Sequence, residues 1–436
     1  MPLDTAKLLS ADRTHIVSTL TAIANKPPAE WLSVGHPGPD GQLPTTWAKV
    51  DDWTPAQRIE AVAFSGPTHC VDGWGYASRA LSAFLAGDFH AARHLAYYAQ
   101  LRAGLSILAG MGVGVFNGIN FVVLNNGHTE RVDPSSSSPR SGLGTHVMVW
   151  EALEAWSAST VGADLFLSLM KVRNSTVFEC VEAVWPGFNS QPVAAQLVSA
   201  WGLDLKRGKI EHKYRKVSSY VPHAFNALVC QPVDVARFLA DIWRLFEPSA
   251  GPGFDRLDRY LLRAALWRQH RMIAPDAPVE GGSLKSRYSL LPDDVRAVAS
   301  LEFLLGMDDP DEPFMVQLAR SDAAPAASHE MIARSLLLLR AALAITHANL
   351  SAAGVAGGGA LRPWLDQLAI QRGFFSSPTS IADMADLWSD VELALEDMGA
   401  GAHPVPACLH EWFSNGPIGA PTVTEAERIG LWSLCA

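Results

Sequence analysis

The sequence predicts a mainly α-helical protein, a multi-helix bundle with one small β-hairpin inserted near residues 112–124. Three observations lead there. The 436 residues are rich in Ala and Leu, only 18% are charged, and 14 Trp are present, a mix that suits helices packed closely on small side chains. Apolar residues recur at helical spacing in many segments. The spacing changes to an alternating, strand-like pattern in only one stretch.

Taken in chain order, Pro27, Pro28, Pro37, Pro39 and Pro44 follow a short first helix, so residues 1–60 read as an irregular arm. Residues 74–85, WGYASRALSAFL, read as an amphipathic helix closed by Gly87 and Asp88. A second helix runs from His90 to Ala109, with Leu101, Leu105 and Leu108 on one face. GVGVF and INFVVL then flank Asn117-Gly118, the dipeptide most suited to a two-residue hairpin turn. The segment 125–144, with four consecutive serines, reads as a loop, and Thr145 can cap the next helix. Helical patterns continue near 162–172, 176–185, 192–202, 232–247, 256–273, 292–307, 328–351, 361–372 and 379–398. Residues 204–220 carry the one dense basic run and suggest a boundary. The implied organisation is an arm (1–60), a helical domain (61–203) and a second helical domain (204–436).

Net charge is −10, so nucleic acid could be met only by a local patch and not by bulk electrostatics. Five well-separated cysteines with no C-x-x-C pair fit reduced, packed thiols of a cytoplasmic protein. The uncharged stretch between Arg102 and Glu130 contains glycines and four asparagines, which argues against a membrane span. No Walker-type loop, H-E-x-x-H or G-x-S-x-G motif occurs, and no cofactor is expected. His403, Cys408 and His410 lack a fourth ligand, so no metal is expected either. Cys70, although beside His69, reads as a packed thiol because adjacent side chains rarely face one another.

The segment HAARHLAYYAQLRAGLSILAGMG, residues 90–112, carries paired tyrosines, small residues, an apolar pair and a Gly stop. It resembles the first core helix of HEPN-like helical domains, and GTHVMVWEALEAW resembles their second. The resemblance covers about 70 residues; the inserted hairpin and serine loop depart from the simplest form of that pattern. It implies a helical bundle of the kind found in bacterial toxin–antitoxin, antiphage and RNA-processing systems. Some such proteins are metal-independent RNases and others only bind partners. The RNases use an Arg followed four to six residues later by His, the Arg to stabilise phosphate charge and the His to move a proton. Two spacings match. Arg340 and His347 lie on a helix, and the alternative, Arg140 and His146, lies around a glycine-rich loop. The structural alternative for the first pair is a paired charge and a helix C-terminal cation.

Two more groups are candidates for nucleic-acid or phosphate binding. His90, Arg93 and Tyr97 share a helical stripe; the bland reading is a polar helix face with Tyr97 half-buried, while Tyr98 belongs to the core. Lys206, Arg207, Lys209, Lys213, Arg215 and Lys216 could follow an RNA backbone, with Tyr214 free to stack. A solvated loop or edge strand is the alternative. Two functions are therefore expected to compete: an RNA-binding protein that can cleave its ligand, or a non-catalytic adaptor binding a protein partner, either able to form oligomers.

Overall fold

The computed structural model describes residues 3–26, 53–116, 118–132, 143–200, 205–220, 235–249, 253–276, 278–279, 283–308, 312–323, 326–356, 359–375, 386–399 and 420–435. These form helices throughout, interrupted by a three-stranded antiparallel sheet and a two-stranded hairpin. The mainly α expectation therefore holds, including the small β insertion.

The expected helix at 74–85 starts nineteen residues earlier and spans Pro55–Leu85. Thr54 accepts from the Gln57 backbone N–H while the Gln57 side chain accepts from the Thr54 N–H, a capping box that fixes the start with Pro55 in the first turn. Pro67 stands inside this helix, and the Gly66 carbonyl accepts a hydrogen bond from the Ser106 hydroxyl at 2.7 Å. The proline's local cost is offset by packing, since most of the helix is buried against Phe89–Gly110. Asp88, read as part of a helix stop, also caps the following helix by accepting from Ala91 N–H at 2.9 Å.

After Phe89–Gly110 the chain turns at Gly112, whose φ of +92° and close approach to the Asp12 carbonyl both suit glycine. Strands β1 (Val113–Phe116) and β2 (Ile119–Val123) pair with Phe116 opposite Ile119, as the two-residue turn requires; Asn117 itself lies outside the described residues. A third strand, β3 (Thr129–Arg131), which the sequence did not suggest, pairs with β2. The pattern near 162–172 ends earlier, at Leu169, because β4 (Lys171–Val172) and β5 (Ser175–Thr176) form a hairpin with Arg173 at φ +58°. The pattern near 292–307 breaks into Asp293–Val298 and Leu301–Leu305, with Gly306 at φ +77° closing the second.

The basic run is neither loop nor edge strand but the helix Leu205–Tyr220. It packs on Phe89–Gly110 and Thr145–Ser157, so the boundary expected at 203–220 falls on a helix seated against the preceding segment. Gly208 lies so close to the Trp150 ring that a Cβ there would collide with it. Helices from both sides of the expected boundary share one hydrophobic cluster.

At the centre of that cluster lies Ser328–Ala352. It is long and apolar enough to cross a membrane by composition, yet 89% of its most apolar window is buried inside the protein. Its arginines turn inward. Arg340 makes a bidentate pair with Asp258, Nε to Oδ1 at 3.0 Å and Nη2 to Oδ2 at 2.8 Å, with side chains only 4% and 2% exposed. Arg334 pairs with Glu211 of the basic helix at 2.6 Å, equally buried, and donates to the Ala319 carbonyl. Removing one partner of a buried pair leaves an uncompensated charge, at a cost of about 3–5 kcal/mol. Arg340→Ala is expected to lose stability on that scale in urea unfolding; a loss within the about 0.5 kcal/mol typical of surface changes would refute the assignment.

Candidate functional site

Side chains from three helices meet on one side of the bundle. The Phe89–Gly110 helix supplies His94, Tyr97 and Tyr98 at one-turn spacing. Thr145–Ser157 supplies His146 and, one turn on, Trp150. Leu205–Tyr220 supplies His212, Arg215 and Ser219. That last helix is placed by its inward stripe: Gly208, Glu211, Arg215 and Ser218 are all buried, recurring at helical period.

Tyr97 sits at the centre, fully buried, with its hydroxyl 3.0 Å from His146 Nδ1 and accepting from Trp150 Nε1 at 3.3 Å. The indole can only donate, so the phenol proton is free for His146 Nδ1. That arrangement leaves the proton of the neutral imidazole on Nε2. Burial pushes the Tyr97 phenol well above its ordinary range, so it stays protonated. The His146 and His212 rings lie 4.6 Å apart, centroid to centroid, tilted by 31°. Arg215 lies over both tyrosine rings, at 5.6 and 5.5 Å, and donates to the Tyr98 hydroxyl at 3.0 Å. His94 Nδ1 is 2.7 Å from the Ser219 hydroxyl and its ring is 4.9 Å from Tyr98.

The local electrostatics keep both histidines neutral. Burial first, then His212, Arg215 and Lys216, lowers His146 to about 4. Burial, with Arg215 and Lys216, lowers His212 as well. His212 Nδ1 is buried with no hydrogen-bond partner among the described residues. Two neutral imidazoles beside a guanidinium can accept a proton and can donate to an anionic oxygen.

Of the residues the sequence singled out, His146, Tyr97 and Arg215 come together here. Arg140 lies outside the described residues. The tyrosine order is the reverse of the one expected: Tyr97 is the core residue, while Tyr98 is half-buried and bonded to Arg215. Arg93 turns inward, donating to the Ala326 carbonyl at 2.6 Å; burial lowers it to about 10, with Glu211 and Glu330 opposing. His90 is half-buried one turn before Arg93, with Nδ1 unpartnered.

Arg340 and His347 have separate partners in the structure. Arg340 is buried, and two of its five N–H groups are spent on Asp258, so its charge is already paired inside the core. His347, two turns along the same helix, is 3.3 Å from the Ser351 hydroxyl through Nδ1, and burial lowers it to about 4.

The basic helix divides by partner. Arg207 is tied to Asp322 and the Ser321 carbonyl, and Lys209 to Glu154 at 3.3 Å. Lys213 and Lys216 are exposed and have no ion pair among the described residues. Lys206 lies in the helix. No group of three or more His, Cys, Asp or Glu that could hold a metal occurs among the described residues; His403, Cys408 and His410 lie outside them.

His212 is the functional candidate that sequence reading missed. Its signal was its place inside the basic run, one turn before Arg215 and Lys216. By fold and site the protein is thus a helical bundle bearing a histidine–tyrosine–arginine cluster. Comparison with protein-family models, curated proteins and solved structures finds no match.

The histidine shifts have a sign. A ring whose folded pKa is lowered is neutral where the unfolded chain would be charged. Its contribution to stability is therefore whole above about pH 6.5 and is lost as pH falls toward the folded value. The His146 ring protons, followed by NMR, are expected to titrate with a midpoint near 4. A midpoint at the ordinary value of about 6.5 would remove the buried-cluster account.

Proposed function

We propose that the protein binds single-stranded RNA beside the basic helix and that the His146–His212 pair acts on a phosphodiester there without a metal ion. The observation that carries this reading is the convergence of two neutral imidazoles, a guanidinium and two lysines without ion pairs among the described residues, on two neighbouring helices. The likeness of 90–112 and 145–157 to HEPN-like helices favours RNA over other phosphodiesters. It is supported by the packing of those two helices through Tyr97, His146 and Trp150.

In this reading Lys213 and Lys216 attract the backbone, while His146, donating through Nε2, and Arg215 stabilise charge on the phosphate oxygens. His212 accepts the proton of the ribose 2′-hydroxyl, whose oxygen attacks phosphorus. The bond to the 5′-oxygen breaks and its electron pair leaves with that oxygen, which takes a proton from water. The products are a 2′,3′-cyclic phosphate and a 5′-hydroxyl end.

Fluorescence anisotropy with a labelled single-stranded RNA tests the binding. The Lys213→Gln, Lys216→Gln double variant is expected to flatten the slope of log K against log salt by about 1.4, since each phosphate contact on a single strand contributes about 0.7. His212→Gln should keep binding and lose cleavage. If the purified protein neither shifts nor cuts RNA, the reading gives way to the adaptor function, in which the same surface meets a protein partner.

A further inference from the structure

A second concentration of positive charge lies on the Asp255–Ile273 helix, away from the histidine cluster. Tyr260, Arg263, Ala264, Trp267, Arg268 and Arg271 fall on one face at helical spacing and line a cavity of about 240 Å³. Gln196 and Arg320 line it from other helices or helix ends, and Glu312 is the one carboxylate among its described lining residues. Liquid water occupies about 30 Å³ per molecule, so the space exceeds that of a few trapped waters.

Among the described lining residues, four guanidiniums face a single carboxylate. Arg320 is the partner of Glu312, and burial lowers the Arg320 guanidinium. Arg263, only 6% exposed, is held over Trp267 at 5.4 Å and over Phe303 at 4.7 Å. Arg271 approaches the same indole at 6.0 Å. Among the described residues neither Arg268 nor Arg271 has a carboxylate partner, and Arg268 Nε is buried without a hydrogen bond to any of them. Guanidiniums crowded into a concavity repel one another unless an anion joins them, and here the chain as a whole carries a net charge of −10. Trp267 and Tyr260 act as walls that hold the arginine planes in position, which lowers the ordering cost of binding.

We propose that this cavity is a binding site for a small phosphorylated molecule, its phosphoryl group held by Arg268 and Arg271 with Arg263 and Arg320 closing around it. Three guanidiniums spaced along one helix face, with Arg320 from a second element, offer more donors than a planar carboxylate can use, which one fork satisfies, and suit the several oxygens of a phosphoryl group. The adjoining cavity, of about 310 Å³, shares Tyr260 and Glu312 and gives the rest of the molecule a place to lie. The cavity shares no lining residue with the His146–His212 cluster, so this site stands whether or not the RNA reading does.

Isothermal titration of the full chain with inorganic pyrophosphate tests the proposal. Saturable binding and a raised melting temperature are expected. Arg271→Gln, at an exposed position, and Arg268→Gln should each weaken binding about tenfold, the loss of one charge-assisted hydrogen bond. Glu312→Gln should tighten it, because it frees Arg320 and removes the opposing charge. No saturable binding, or binding that survives both arginine changes, overturns the proposal. Binding lost instead in the Lys213→Gln, Lys216→Gln variant also overturns it, because the anion would then belong to the histidine cluster.

Discussion

The fold depends on how two arginines are satisfied inside an almost wholly buried helix. Ser328–Ala352 is surrounded by apolar side chains, and a guanidinium there cannot stay unpaired. Arg340 draws in Asp258 and with it the Asp255–Ile273 helix, while Arg334 draws in Glu211 and with it the basic helix. Each pair has few geometric solutions, so each fixes the rotation of an outer helix as well as its distance. Glu211 is adjacent to His212 and one turn from Arg215. Asp258 is two residues from Tyr260 and five from Arg263. The helices that carry the histidine cluster and the arginine-lined cavity are thus both held by buried ion pairs to Ser328–Ala352.

Around the tyrosine cluster, desolvation dominates over charge attraction. His146 and His212 are close to Arg215 and Lys216, and burial and positive neighbours push in the same direction, toward the neutral ring. Tyr97 then sets the tautomer, because the indole of Trp150 can only donate to it. Arg215 is held over two aromatic faces and by one hydrogen bond to Tyr98, while Lys213 and Lys216 of the same helix are exposed. Close approach makes this possible: a Cβ on Gly104 would lie 2.7 Å from Val149 Cγ1, so the tyrosine helix and the His146 helix meet through a glycine.

Much of the architecture was legible in local pattern. The helix 90–110, the hairpin at 112–124 and the helix starting at Thr145 all rest on signals carried within a few residues: apolar period, a favoured turn dipeptide, a capping position. Where local reading failed, a longer-range contact was decisive. Pro67 and several glycines disguised Pro55–Leu85, whose helicity is secured by burial against its neighbour. The basic run resembled a linker because six cations stand in eleven residues, yet Glu211 and Arg215 turn inward and make it a packed helix.

By itself, then, the sequence determined a helical protein with one strand-forming insertion, and it placed Tyr97, His146 and Arg215 among the candidates. Periodicity and turn chemistry are properties of neighbouring residues, and they survive without knowledge of the fold. Only the tertiary structure decided that Arg340 belongs to Asp258, that His212 faces His146, and that four arginines surround one cavity. Those encounters join segments tens of residues apart in the chain. Burial, which sets the charge and availability of every such group, exists only once the helices have packed.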